Sequence, residues 1–332
     1  MWYNNSVGKK FILLKIVPAI LLFLIPSFMS IKRLNQSWAK VNFTQYATAK
    51  IPTPVWNTPT FPFFVVDKKG GVVFNDPGYI NELEFIALPR TVFRVKNVLA
   101  LKDSLIYQVT TDDYQYHTRR GFFIDSRFVE NEYEKQPQER PKILLPQKTI
   151  IENLVATRGS IYTWGGNYHN GIPQIFSFYQ PPFDLTDNSG LKNRWMLKGV
   201  DCSGLLYEAT NGYTPRNTIA LLDFGMPVPI AGLSIKQISE NLKPLDIIVW
   251  PGHVIVVLNR NQAIESRPYY QTGKIKYPGG VRVRQIKKVL SEVSKSRVPV
   301  NSYTDFGTMG KGKFVIRRWY GQKLSGNIPT GT

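Results

Sequence analysis

Short apolar segments separated by turn residues dominate the first half of the chain. Apolar, aromatic and β-branched residues cluster at 63–66, 72–74, 91–95, 105–109 and 121–125, with Gly, Pro, Asn or charged residues between them. Segments of this kind are typical of short strands. Several of them close together predict a small β-barrel over residues 63–130.

The pattern changes further along the chain. Apolar positions recur at helical spacing over Thr149–Arg158, which predicts a helix. Val254–Leu258 is a short, uninterrupted run that is mostly β-branched, and it predicts a buried strand. Helices and strands thus share the second half of the chain, and the fold class that we predict is α+β.

One cysteine occurs in the chain, Cys202, and it stands at the predicted start of a helix. Asp201 and Ser203 are good capping residues, and the apolar residues that follow recur at helical spacing. The positive end of the helix then faces the sulfur. Because the thiolate is the reactive form of cysteine, this position favours a nucleophile over a buried, inert thiol.

His253 is the candidate base for this thiol. It follows Gly252 and stands at the head of the predicted strand, which is a rigid mount for an imidazole. A cysteine at a helix N-terminus facing a histidine on a strand is the papain-like arrangement. The two residues together predict a catalytic pair.

Three strings in this order resemble the NlpC/P60 family of cell-wall cysteine peptidases. They are Tyr162-Thr163-Trp164-Gly165-Gly166-Asn167, Asp201-Cys202-Ser203-Gly204, and Pro244-Leu245-Asp246-Ile247-Ile248-Val249-Trp250 running into Gly252-His253-Val254. The resemblance covers about the last half of the chain. It implies a papain-like domain over residues 149–322, in which the cysteine helix packs on an antiparallel sheet.

The resemblance also implies roles for further residues. Tyr162 would line the cleft and help the oxyanion region, or else be an ordinary half-buried aromatic residue. Asp201 and Ser203 would contact the free amine and the D-glutamyl carboxylate of the substrate, and without the resemblance both would be capping groups. A nucleophile and a base suffice for this reaction, so no cofactor is expected.

A third polar residue orients the histidine in this family, usually His, Asn or Gln. Matching the hairpins places Glu265 there, and a carboxylate can accept a hydrogen bond from the imidazole. A small shift of the hairpin would instead place Ser266 opposite His253. Another reading makes Glu265 a solvent-facing charge on an edge strand.

The interval 167–200 is a second departure, because members of the family often bring the tyrosine string much closer to the cysteine. We expect a long loop there, either a wall of the cleft or a surface insertion. His169 lies in this interval and His117 lies upstream. Neither has a second ligand at metal-binding spacing, so both are interpreted as surface residues and no metal site is expected.

The remaining segments define compartment and domain boundaries. Residues 1–30 carry Lys9 and Lys10 before an apolar stretch, which predicts an export signal or a retained anchor, and hence the periplasm or cell envelope. We expect an extended, proline-containing leader at 31–62, a linker at 131–148 and a tail at 323–332. The barrel segment resembles a bacterial SH3-like domain, where Tyr114 and Asp125 either contact substrate or pack within the barrel.

The chain carries a formal net charge of +19. With an export signal, we expect anionic cell-wall polymers or a membrane surface as partners rather than nucleic acid. The resemblance implies an exported peptidoglycan hydrolase that cleaves stem peptides between γ-D-glutamate and the diamino acid. An acyltransferase or amidase of the same superfamily and a weakly catalytic wall-binding protein are the alternatives.

Overall fold

The structure is a computed structural model, and it describes residues 38–60, 80–101, 104–114, 116, 118, 121–132, 135–181, 184–272, 275–277, 279–307 and 309–321. The predicted signal or anchor at 1–30, the strands at 63–66 and 72–74, His117 and the tail at 323–332 lie outside these residues. Of the described helices, none has the length and apolar character that a membrane crossing requires.

The first half of the chain forms a seven-stranded antiparallel sheet, called here the N-terminal sheet. Its strands are β1 (Trp38–Ala49), β2 (Thr53–Trp56), β3 (Leu83–Ala87), β4 (Val92–Leu101), β5 (Ser104–Thr110), β6 (Phe122–Asp125) and β7 (Val129–Glu132). They pair in the order β3-β2-β6-β5-β4-β1-β7. The strands predicted at 91–95, 105–109 and 121–125 therefore exist, with slightly different ends.

Two expectations for this region differ from the structure. The segment 31–62 is not an extended leader over its described residues, because β1 and β2 are strands of the sheet. Ala47, Val55 and Trp56 are buried, and this burial outweighs the interruption by prolines, of which Pro54 lies within β2 itself. No pairing between β3 and β7 closes the described strands into a barrel, so the SH3-like barrel stays a prediction.

The second half centres on another mainly antiparallel sheet, the C-terminal sheet, with the order β10-β18-β11-β12-β13-β16 and with β17 parallel to β18. Its strands are β10 (Met226–Pro227), β11 (Ile247–Trp250), β12 (His253–Val257), β13 (Gln262–Arg267), β16 (Gly280–Gln285), β17 (Arg297–Pro299) and β18 (Gly312–Arg318). The pair β14 (Tyr270–Thr272) and β15 (Ile275–Tyr277) lies outside it, as does the pair β8 (Asn167–Tyr168) and β9 (Gly199–Val200).

Helices cover both faces of the C-terminal sheet. They are α1 (Gln147–Ala156), α2 (Ser189–Trp195), α3 (Cys202–Ala209), α4 (Thr218–Leu221), α5 (Ile235–Asn241) and α6 (Ile286–Ser296). Alternate residues of β12 face opposite ways, as strand geometry requires: Val254 and Val256 pack with α1 and α3, whereas Ile255 and Val257 pack with α5 and α6. The α+β class is confirmed, with the cysteine helix on an antiparallel sheet.

The interval 167–200 is not the long loop that its sequence suggests. It contains β8, a 3-10 helix at Pro173–Ser177, α2 and β9. Ile175, Tyr179 and Trp195 are buried in one core with the N-terminal sheet. The Tyr179 hydroxyl donates a hydrogen bond to Asp125 Oδ2 at 2.5 Å. This insertion therefore packs as part of the molecule rather than decorating its surface.

The predicted linker is also anchored. Arg140 is buried, and its guanidinium donates to the carbonyl of Asn211 after α3 and contacts Asp113 after β5. The described residues fall within one compact unit.

Candidate active site

Cys202 is the first residue of α3, as predicted. The Asp201 side chain caps this helix by accepting a hydrogen bond from the Gly204 N–H at 2.7 Å. Cys202 is 8% exposed, and its thiol donates to the carbonyl of Gly252, with 3.9 Å between Sγ and oxygen. Because Gly252 directly precedes His253, the sulfur lies beside the N-terminal end of the histidine strand.

Two of the strings meet because their glycines let backbones come close. A Cβ at Gly204 would lie 2.0 Å from the Gly166 carbonyl oxygen, and a Cβ at Gly166 would lie 2.6 Å from that of Gly199. Real Cβ atoms cannot approach backbone oxygens so closely. Glycine at these positions therefore brings the first turn of α3 against the segment that follows Tyr162.

The thiol of Cys202 is not stabilised as a thiolate in this structure. Burial and, to a smaller extent, the neighbouring Asp201 carboxylate raise its pKa to about 12, although the backbone N–H groups of Val254 and Ser203 and the charge of Arg216 act in the opposite direction. The backbone N–H of Ser203 in the first turn of α3 does favour the thiolate, but burial outweighs this effect in the resting protein. Its thiol needs a base to react.

His253 lies at the start of β12, where its ring meets a carboxylate. The distance from His253 Nε2 to Glu265 Oε2 is 2.8 Å, and both residues are buried. A carboxylate at this distance only accepts, so Nε2 carries the proton in the neutral ring. The second ring nitrogen, Nδ1, is then the one with a lone pair to accept a proton.

The structure distinguishes Glu265 from the alternative, Ser266. Successive residues of a strand face opposite sides, so only one of the two can face His253. Ser266 faces the α3 side, where its hydroxyl donates to the carbonyl of Val200 at 2.7 Å. Glu265 faces the imidazole and is 1% exposed, so it is not a solvent-facing charge on an edge strand.

Glu265 remains ionised despite its burial. Burial raises its pKa, but the hydrogen bond and charge of His253 and the cations of Arg267 and Arg284 outweigh that effect and hold the pKa at about 2. The Arg284 guanidinium donates to Glu265 Oε1 at 2.7 Å. Neither arginine was predicted, since a basic residue in so basic a chain carries no distinct signal.

Asp201 and Ser203 belong to a hydrogen-bond network built around Arg216. This arginine is buried, and its guanidinium binds both oxygens of Asp201, at 3.0 and 2.8 Å. It also donates to the Ser203 hydroxyl at 2.9 Å and to Asn167 Oδ1 at 3.0 Å. Arg216 thus offsets the charge of Asp201 within the protein. From the sequence, Asp201 was predicted to contact the free amine of the substrate, and this pairing with Arg216 was not predicted.

Tyr114, which follows β5, approaches this network. The Tyr114 ring stacks on Phe85 and its hydroxyl donates to Glu84, at 3.4 Å. Burial raises the pKa of Tyr114, while Arg216 is close enough to lower it and Glu84 and Asp201 are close enough to raise it.

Tyr162 and Asp125 are two further residues for which substrate contacts were predicted. Tyr162 is half-buried beside Gly279, a contact that fits either of its two readings. Asp125 is buried and engages Tyr179 and Arg127, which is a packing role.

The described residues show no cluster of three or more His, Cys, Asp or Glu side chains that could hold a metal ion. His169 is partly exposed and lies against Glu208, with Nδ1 at 2.7 Å from the carboxylate. His253 packs its ring against Trp250, with 5.1 Å between centroids. The structure places the thiol beside the backbone of Gly252 and Val254, and it pairs the imidazole of the adjacent His253 with Glu265.

No protein-family model matches the chain, and no curated protein matches it either. Among solved structures, an NlpC/P60 family protein from Bacillus cereus ATCC 10987 is 13% identical over 83% of this chain and 63% of that one, with a TM-score of 0.29. NlpC1 from Trichomonas vaginalis is 13% identical over 83% and 69%, with a TM-score of 0.26.

An NlpC/P60 endopeptidase from Photobacterium damselae subsp. piscicida is 13% identical over 73% of this chain and 47% of that one, with a TM-score of 0.26. The chain therefore spans less than two thirds of the Bacillus cereus and Photobacterium proteins. At these TM-scores the similarity supports no inference by itself.

Proposed function

We propose that this protein is an exported cysteine endopeptidase of the NlpC/P60 type, which hydrolyses peptidoglycan stem peptides between γ-D-glutamate and the diamino acid. One observation carries the proposal. Cys202 begins a helix whose first turn lies against Gly252, and the adjacent His253 binds the buried carboxylate of Glu265 through Nε2. The choice of bond and of substrate comes from the resemblance of the three sequence strings.

In the proposed reaction, His253 Nδ1 accepts the thiol proton as Cys202 Sγ attacks the γ-carbonyl carbon. The oxyanion is met by the backbone N–H of Cys202, since the first N–H groups of a helix have no acceptor within it. Collapse breaks the carbon–nitrogen bond, and the imidazolium gives its proton to the leaving amine. Water then hydrolyses the thioester, with His253 again as the base.

Glu265 has a separate part in this scheme. Its carboxylate keeps the Nε2 tautomer of the imidazole and stabilises the imidazolium after proton transfer, without taking a proton itself. With a pKa of about 2, it stays ionised over the pH range in which such an enzyme works. Tyr162, Asp201 and Ser203 are proposed to contact the substrate, and Asp201 would do so with Arg216 already bound to it.

The two alternatives are less well supported. A lipid acyltransferase needs an apolar tunnel, but Tyr179 and Trp195 of the insertion are buried in the core with the N-terminal sheet. A weakly catalytic wall-binding protein leaves the buried contact between His253 and Glu265 without a purpose. The net charge of +19 fits either an enzyme or a binding protein that meets anionic envelope polymers.

Mass spectrometry of stem peptides incubated with the full chain tests the proposal. We expect L-Ala-γ-D-Glu-diaminopimelate peptides to release the diaminopimelate fragment with the wild-type protein, and not with Cys202→Ala or His253→Gln. Matched incubations with intact muropeptides would show whether a free N-terminal L-Ala is needed. Retained binding to sacculi without cleavage of either substrate would contradict the proposal and favour the wall-binding alternative.

A further inference from the structure

Four charged side chains form a closed ring on the Nε2 side of His253. Arg284 donates to Glu265 Oε1 at 2.7 Å, and Arg267 Nε lies 3.5 Å from Glu265 Oε2. The same two arginines bind Glu292: Arg267 at 2.6 Å through Nη1, and Arg284 through Nη2. Each carboxylate thus meets both guanidinium groups. We call Glu265, Arg267, Arg284 and Glu292 the charge ring.

Strand register and helix packing explain why these residues meet. Glu265 lies opposite Arg282 in the antiparallel pair of β13 and β16, so Arg284 is its diagonal neighbour on the same face. Arg267 lies two residues along β13 and also shares that face. Helix α6 follows β16 directly and packs over both strands, which brings Glu292 to the two arginines.

Burial separates the ring into an inner and an outer part. The Glu265 side chain is 1% exposed, the two arginines are about one-quarter exposed, and Glu292 is 41% exposed. A buried carboxylate with one partner could rotate away from the imidazole, but here each of its oxygens has its own donor. The outer carboxylate holds the two arginines in the orientation that the inner one needs.

We propose that Arg267, Arg284 and Glu292 are positioning residues, which hold Glu265 against His253 Nε2 and set how much of its negative charge the imidazole experiences. This inference rests on the proposed function, because it assumes that His253 is the base for Cys202. The three residues need not touch the substrate, since they act through Glu265.

The signs of the expected effects follow from the charges around the ring. The charged and titratable groups around His253 lie on several elements and a loop. On the two neighbouring strands they are Glu265 and Arg267 on β13 and Arg282 and Arg284 on β16, of which Arg282 lies directly opposite Glu265. The others are Glu292 on α6, Cys202 on α3 with its cap Asp201 and the Asp201 partner Arg216, and Arg297, whose guanidinium lies over Trp250. Without the Arg284 cation, less of the negative charge of Glu265 is neutralised, which favours the imidazolium form of His253. Without the Glu292 anion, less of the positive charge of Arg267 and Arg284 is neutralised, which disfavours the imidazolium form of His253.

Histidine NMR measures this directly. The chain has three histidines, so the imidazole of His253 can be assigned with His117→Gln and His169→Gln in a full chain that carries Cys202→Ala. We expect Arg284→Met to raise the pKa of His253 and Glu292→Gln to lower it, each by roughly 0.5–1. Arg284→Lys retains the charge but not the two-point contact, so the pKa should stay near that of the parent chain.

Arg260→Met is the matched control. Arg260 is exposed in the turn between β12 and β13, so the same loss of charge outside the ring should leave the pKa of His253 unchanged. In the chain that retains Cys202, the acidic limb of the pH profile of kcat/KM should shift in the same direction as the pKa of His253 measured by NMR. Arg284→Lys should lower kcat while leaving that limb in place, because Glu265 then has a looser anchor.

Opposite signs for Arg284→Met and Glu292→Gln exclude a general loosening of the fold, which would move both variants the same way. If the pKa of His253 is unchanged in both variants, or shifts in the same direction in both, the inference is overturned. If Arg284→Met does not fold, the pKa of His253 in Glu292→Gln still tests the inference. Glu292 is partly exposed, and its replacement leaves the buried contact between Glu265 and His253 in place. Expected NMR shifts in a chain that cleaves no stem peptide would refute the proposed function and leave the ring intact.

Discussion

Two effects oppose each other at Cys202. The N-terminus of a helix favours a thiolate, but it acts as a partial charge only, whereas removal of an ion from water can raise a thiol pKa by several units. At 8% exposure and beside the Asp201 carboxylate, desolvation dominates, and the pKa rises to about 12. The sulfur is therefore activated during attack by its base rather than stored as a thiolate.

This argument predicts how the thiol responds to an alkylating reagent. The rate of alkylation of the folded protein by iodoacetamide should rise about tenfold per pH unit from about pH 7 to about pH 9 without reaching a plateau. Since the chain has one cysteine, the incorporated label reports Cys202 alone. The denatured chain is the control and should level off near the ordinary thiol pKa. A plateau below about pH 8 in the folded protein would instead indicate a preformed thiolate–imidazolium pair.

Glu265 makes a prediction about stability in acid. Its pKa is about 2 in the folded protein and near 4.5 in the unfolded chain, so its ionised form stabilises the fold above about pH 4.5. That contribution is lost as the pH falls toward about 2. The difference in unfolding free energy between pH 6 and pH 3, measured by urea denaturation, should therefore be smaller in Glu265→Gln than in the wild type, by about 1–3 kcal/mol.

Glu152→Gln provides the comparison for this experiment, because Glu152 is an exposed carboxylate on α1. It should retain the acid sensitivity of the wild type. Equal sensitivity in Glu265→Gln and the wild type would mean that the ion pairs of Glu265 do not stabilise the fold.

At the level of single elements, local sequence patterns predicted the helix of Cys202 and the strand of His253, because both are determined by neighbouring residues. The capping residue Asp201 and the apolar spacing after it mark α3, and the β-branched run marks β12. Matching the hairpins favoured Glu265 as the partner of His253, but only the register in the fold distinguishes it from Ser266. Arg216 and Glu292 were missed because their roles depend on elements that come together only in the fold. The strands at 38–56 were missed because the prolines from Pro52 onward favoured an extended leader, and because the burial of these strands depends on the folded chain.

The insertion at 167–200 illustrates the same limit, and it can be tested through two tryptophans. Trp195 is 1% exposed in the core that the insertion shares with the N-terminal sheet, whereas Trp164 is 48% exposed. Trp195→Ala should lower the unfolding free energy by about 3–5 kcal/mol. Trp164→Ala should change it by no more than about 0.5 kcal/mol. Similar small effects from both substitutions, in urea denaturation, would mean that the insertion only decorates the surface.

For the whole molecule, polar contacts connect the N-terminal sheet to the elements around Cys202. The buried Asn167 side chain accepts from the Ile86 N–H and donates to the Ile86 carbonyl, both at 3.0 Å, and it also binds Arg216. Arg140 connects Asp113 to the carbonyls after α3. Because unpaired buried polar groups are costly, separation of the two halves would expose or orphan each of these partners.

The two halves should consequently unfold together, although the sequence suggests two domains joined by a linker. Hydrogen exchange measured by mass spectrometry at increasing urea should give peptides from β4–β5 and from β11–β12 the same limiting free energy of opening. Asn167→Ala leaves the buried Ile86 backbone groups unpaired and removes one partner of Arg216, so it should weaken the N-terminal sheet first and split the transition in two. Separate opening of the N-terminal sheet in the wild-type protein would show instead that the contacts through Asn167 and Arg140 join two independently stable domains.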